Sequence, residues 1–158
     1  MIYKFKSQFA FFALLISAFI SSAQDKSSND LASGLIVKTS TLDFNTTYEK
    51  TKTNIEANPN LKIILELDHS KNAASVDLDL RPTRIILFGN PKIGTVLMKD
   101  NQSVSIDLPQ KIIVFESESG EVKIAYNDPY YLKSRHELKD HKVLEKVSQV
   151  LDKMTEVD

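Results

Sequence analysis

The chain has no cysteine and no tryptophan, and its 158 residues include only three histidines, four glycines and five prolines. Without cysteine there is no disulfide, no thiolate chemistry, no lipid-bearing cysteine and no covalent haem attachment, so stability must come from packing. Neither sign of charge dominates, since 20 Lys and Arg stand against 21 Asp and Glu. The lysines are scattered among acids with no basic stripe interleaved with aromatics, so no nucleic-acid partner is expected. Histidine is too sparse to build a familiar zinc site. His136 and His141 lie five apart, whereas side chains that share a helix face are three or four apart. Both read as surface residues, and no metal is expected. Long apolar runs are missing too: the stretch from Phe9 to Ile20 covers twelve positions, short of the ~20 that a bilayer span needs.

That short run has the flanks of an export signal. Lys4 and Lys6 give it a basic start, and Ser21-Ser22-Ala23 gives it a small-residue end. The expected organisation is a signal peptide over 1–23, a polar flexible leader over 24–33 and one domain over 34–158. Cleavage after Ala23 would leave 18 basic against 21 acidic residues and no stable membrane anchor. The mature protein is then expected in the periplasm or outside the cell. With 42% hydrophobic and 26% charged residues, the composition is that of an ordinary globular domain.

Periodicity places the elements. Leu35-Ile36-Val37 opens a strand, and a helix starts near Asn45, with Thr46 and Glu49 spaced as a capping box and Phe44 as a staple. It should end near Asn58-Pro59-Asn60. Leu61 to Leu67 and Thr83 to Phe88 read as strands, Gly94 to Asp100 as a helical turn, and Lys111 to Phe115 pairs with Val122 to Tyr126 as a hairpin. Asp128-Pro129 is a cap followed by a proline at the first helical position. Leu144, Val147, Val150, Leu151 and Met154 recur at helical spacing, which lays a C-terminal helix on one face of the sheet.

One stretch, Asp68 to Met98, concentrates a histidine, two arginines, two prolines and two glycines. Its runs are Asp68-His69, Asn72-Ala73-Ala74, Leu80-Arg81-Pro82-Thr83, Phe88-Gly89-Asn90-Pro91 and Gly94-Thr95. With Leu97-Met98, Leu108-Pro109 and Tyr126-Asn127-Asp128-Pro129 beyond them, they resemble the bacterial and archaeal family named domain of unknown function 302. The resemblance covers roughly Gly34 to Leu138 and departs where Pro109 is followed by Gln110 and Lys111. It implies a small α+β domain of strand-helix-four-strand-helix order, with a mostly antiparallel sheet packed on one face by helices, and a homodimer. It implies no established activity.

Within that stretch, His69 follows a strand in a polar loop, where an imidazole serves as base, ligand or donor, or holds its own backbone. Arg81, fixed between Leu80 and Pro82, offers a planar fork suited to carboxylate or phosphate; the alternative is an internal clamp to Asp68, Asp77 or Asp79. Arg84 should lie on the opposite strand face and be exposed. Gly89 to Thr95 resembles an anion nest, with one or both glycines at positive φ, or else a tight turn. It lacks the Gly-Lys-Ser/Thr order of a phosphate-binding loop. A haem held by His69 and Met98 has nothing further behind it, and no cofactor is expected.

Three classes of function remain. The first is a module that binds a small anionic molecule through His69, Arg81, Asn90, Gly94 and Thr95, in a cleft walled by Phe88 and Met98. The second is an enzyme that uses His69 as acid or base beside Arg81 on a small acid. The third is a purely structural dimer. The first is preferred, because a complete set of acid, base and nucleophile is missing from the stretch and no catalytic residue is assigned.

Overall fold

The computed structural model describes residues 34–139 and 141–157. The signal peptide and leader read from the sequence lie outside these residues. The order is β1 (Leu35–Thr39), α1 (Phe44–Glu56), β2 (Lys62–Asp68), α2 (His69–Ala74), β3 (Thr83–Gly89), α3 (Pro91–Asp100) and a 3₁₀ turn (Gln102–Ile106). Then come β4 (Gln110–Glu116), β5 (Val122–Asn127), α4 (Pro129–His136) and α5 (His141–Met154). The five strands form one open antiparallel sheet in the order β1-β5-β4-β3-β2. The fold is α+β, as the sequence implied.

Alternation along the strands decides which face is covered. Ile86 and Phe88 of β3, Ile112 and Val114 of β4, and Ile124 and Tyr126 of β5 point to one side. There they meet Tyr48 and Ile55 of α1 and Val147, Leu151 and Met154 of α5, which recur at helical spacing. A second cluster of Leu97, Val104, Leu138 and Leu144 joins α3, the 3₁₀ turn and α5. Asp152 fastens α5 to the sheet, accepting from the Tyr126 hydroxyl at 2.7 Å and from Lys38 Nζ at 3.1 Å.

Capping residues set the helix starts. Asp43, one residue before Phe44, accepts from the backbone N–H of Thr46 at 3.0 Å, so the cap stands ahead of the expected box. Asn90 accepts from Lys92 N–H at 2.9 Å with Pro91 at the first helical position, so the expected turn at Gly94 is a full helix, α3, begun three residues earlier. Asp68 likewise caps α2, which turns the expected polar loop at His69 into a helix.

Gly94 therefore sits inside α3, and neither it nor Gly89 takes positive φ; the expected nest between them is absent. A β-carbon at Gly89 would first meet Pro109 at 3.5 Å, an ordinary contact. Left-handed backbone occurs instead at Asp77 (φ 57) and Glu137 (φ 54). Both residues follow helices and let the next N–H reach back: Leu78 to the Ala73 carbonyl and Leu138 to the Lys133 carbonyl. A β-carbon in this region costs about 1–2 kcal/mol, against about 0.5–1 kcal/mol of extra chain entropy for glycine. Glu137→Gly is accordingly expected to raise stability by about 0.5–1 kcal/mol, read as a melting temperature higher by about 2–4 °C.

Candidate functional site

Antiparallel pairing brings the end of β2 beside the start of β3, with Asp68 opposite Arg84. Arg84 Nε donates to Asp68 Oδ2 at 2.9 Å, and the Arg84 side chain is 25% exposed. Its guanidinium carbon lies 5.4 Å from the centre of the Phe44 ring and 5.1 Å from that of Tyr48. Two aromatic faces and a carboxylate therefore hold one arginine. Its terminal amino groups make no hydrogen bond to another described residue.

The surrounding charges support this placement. The Tyr48 hydroxyl donates to Glu66 Oε2 at 2.7 Å, and Lys52 Nζ lies 2.9 Å from Glu66 Oε1. Lys52 and Tyr48 hold the Glu66 carboxyl below its ordinary range, while burial and Glu66 push the Tyr48 phenol up. Burial works against ionisation of Asp68, but the Lys71 backbone N–H and Arg84 outweigh it and lower its pKa.

An open cleft of about 320 Å³ lies over this arginine, between Phe44 and Asn45 at the start of α1, Ser70, Lys71 and Ala74 of α2, and Pro82. Ser70 Oγ accepts from Thr83 N–H at 2.8 Å and donates to the Arg81 carbonyl at 3.3 Å, which ties α2 to β3 and fixes the wall. Phe44, Ala74 and Pro82 make that wall apolar. The chemistry on offer is recognition of a small anion with an apolar body. A hollow of about 310 Å³ beside Lys38 and Thr155 is less suited, because Lys38 Nζ is already spent on Asp152 and Thr155.

The seven residues singled out in the sequence do not share this cleft. His69 and Arg81 belong to the same end of the sheet, but the Arg81 side chain reaches away to the Glu116 carbonyl at 3.1 Å and stands 4.0 Å from Glu118. Asp68, one of its expected partners, is taken by Arg84, which is not the exposed residue expected. Phe88 lies near the other end of β3 and Asn90, Gly94, Thr95 and Met98 lie past it, and seven strand residues span about 20 Å. Phe88 is buried in the main core, and Met98 packs on the second cluster; neither walls a cleft with His69 or makes an axial pair with it. Thr95 is exposed on α3.

His136 is also a correction, being 5% exposed rather than on the surface. Its Nε2 lies 2.5 Å from Asp107 Oδ2 and its Nδ1 lies 2.8 Å from Ser103 Oγ. The Asn101 side chain brackets the group, donating to the His136 carbonyl at 2.7 Å and accepting from Ser103 N–H at 3.0 Å. Spacing against His141 was the wrong guide, because Glu137 breaks the chain between two helices.

The sequence matches the family described as Domain of unknown function DUF302 over residues 36–154. The chain belongs to the DUF302 family. The crystal structure of an uncharacterised conserved DUF302 protein from Bacillus stearothermophilus has the same fold. The TM-score is 0.66 at 17% identity, over 77% of this chain and 95% of that one. Proteins named fluoride-specific ion channel FluC 1, from Brucella suis biovar 1 (strain 1330), and FluC 2, from Brucella melitensis biotype 1 (strain 16M), are each 41% identical over 78 residues. This DUF302 chain matches over 49% of its own length and spans 31% and 29% of theirs. No helix of its described residues is long and apolar enough to cross a membrane.

Proposed function

We propose that this DUF302 domain is an exported binding module for a small carboxylate with an apolar body, held in the cleft over Arg84. The observation that carries the reading is the braced guanidinium. Asp68 and the rings of Phe44 and Tyr48 fix it from behind, and its terminal amino groups keep their hydrogen-bonding capacity for a bidentate partner. Arg84 takes the part that the sequence suggested for Arg81. The names of the Brucella relatives support an anionic ligand. The apolar wall favours an organic carboxylate over a bare halide.

A melting-temperature screen with benzoate, short fatty acids, phosphate and fluoride tests this. Benzoate or a fatty acid is expected to raise the melting temperature, and Arg84→Lys is expected to weaken binding by about tenfold or more, since lysine keeps the charge and loses the fork. If no carboxylate stabilises the parent, or Arg84→Lys binds as well as the parent, the reading fails.

A second reading, assembly with another copy of the chain, draws on the sheet face turned away from α1 and α5. It carries Val37, Leu65, Leu67, Ile85, Leu87 and Ile113, and Val37 and Leu65 remain exposed. Two such faces stacked about a twofold axis would bury each other. Native mass spectrometry of protein purified from its own host reads both proposals, the subunit count and any retained ligand.

A further inference from the structure

We infer that Ser103, His136 and Asp107 form a nucleophilic relay that takes the acyl group of small activated esters, a site separate from the Arg84 cleft. The three residues come from two segments far apart in sequence and meet in one hydrogen-bonded line. Asp107 Oδ2 lies 2.5 Å from His136 Nε2, and His136 Nδ1 lies 2.8 Å from Ser103 Oγ. A carboxylate only accepts hydrogen bonds, so Nε2 carries a ring proton, and in the neutral ring Nδ1 then presents its lone pair to the Ser103 hydroxyl. That is the tautomer a general base needs. The ring nitrogens are used in the opposite sense from the serine-protease arrangement, which leaves the proton transfer unchanged because either imidazole nitrogen accepts a proton.

Burial is graded in a useful way. His136 is almost wholly enclosed, the Asp107 side chain is 12% exposed, and Ser103 is exposed, so the nucleophile is the member most open to solvent. Asn101 ties two members of the line together through the His136 carbonyl and Ser103 N–H. Two cations stand close by: Arg135 Nη1 is 3.5 Å from Asp107 Oδ1, and Lys111 Nζ donates to the Asp107 carbonyl at 3.0 Å. Burial lowers the Lys111 pKa, in part offset by Asp107.

In the reaction, Ser103 Oγ bonds to the ester carbonyl carbon as its proton passes to His136 Nδ1. The carbon–oxygen bond to the leaving group breaks, and that group departs with the proton. Water then attacks the acyl-serine, gives its proton to His136, and releases the carboxylic acid as the Ser103 hydroxyl is restored. The open setting of Ser103 suits small substrates with good leaving groups, such as 4-nitrophenyl acetate.

Treating the full chain with a fluorophosphonate, followed by peptide mapping, tests the relay. The expected adduct is on Ser103, with exposed Ser105 in the same 3₁₀ turn unlabelled. Ser103→Ala should remove the label and the hydrolysis of 4-nitrophenyl acetate. His136→Gln should slow labelling by about 100-fold or more while melting as one cooperative unit. If His136→Gln fails to fold, the contrast between Ser103 and Ser105 in the parent still decides. A parent in which Ser103 is unlabelled, or labelled no faster than Ser105, overturns the proposal and leaves the three residues as a structural tie.

Discussion

Phe88→Ala is expected to destabilise the protein by about 3–5 kcal/mol, the range for removing a large aromatic from a close-packed interior. Phe88 is 1% exposed and lies in the middle strands of the sheet, among side chains from α1, β4, β5 and α5. The cavity left behind would border both layers, so neighbouring side chains have little room to collapse into it. Urea denaturation monitored by tyrosine fluorescence checks this through the midpoint at unchanged slope. A loss under about 1 kcal/mol would mean that Phe88 lines accessible space, as the sequence alone suggested.

The second large effect is expected at Asp68. Asp68→Ala removes the cap of α2, worth about 1 kcal/mol, and leaves Arg84 without its charge partner in a site 25% exposed, worth about another 1–2 kcal/mol. The combined loss of about 2–3 kcal/mol carries a pH signature. The Asp68 pKa is lowered in the folded state, so its contribution is present above the ordinary carboxylate pKa of roughly 4 and is lost as pH falls through the lower folded value. Glu66 and Asp152 are depressed for similar reasons and act in the same direction. Stability of the parent should therefore fall between about pH 5 and pH 2, and less steeply in Asp68→Ala. Equal slopes in the two proteins would show that the Asp68 contacts do not favour its charged form.

The elements with strong local signals were legible in the sequence. The C-terminal helix followed from the spacing of Leu144, Val147, Val150, Leu151 and Met154, and α4 from Asp128-Pro129. Asn90-Pro91 carries the same cap-and-proline signature, but Gly89 and Gly94 drew attention to turn chemistry instead. The candidate site was legible as a region and not as a set of residues. Proximity in sequence joined His69 to Met98, whereas β3 carries the chain across the sheet between them. Arg84 was passed over because its value lies in Phe44 and Tyr48, two rings brought by a helix forty residues earlier that nothing local announces. The Ser103, Asp107 and His136 group was hidden for the same reason, since its members meet only once α4 lies against the 3₁₀ turn.

The pairing of β1 with β5 also bears on how the chain assembles. β2, β3, β4 and β5 each bond to a neighbour in sequence, so three strand pairings close over modest loops. β1 must wait, because its Leu35 meets Asn127 only after nearly the whole domain has been threaded between them. The entropy of that closure grows with loop length and falls due before its hydrogen bonds are gained. A nascent chain emerging from the ribosome N-terminus first therefore holds β1 unpaired until β5 has been made, and for that interval Leu35 and Val37 are an open edge that a chaperone or another strand could occupy.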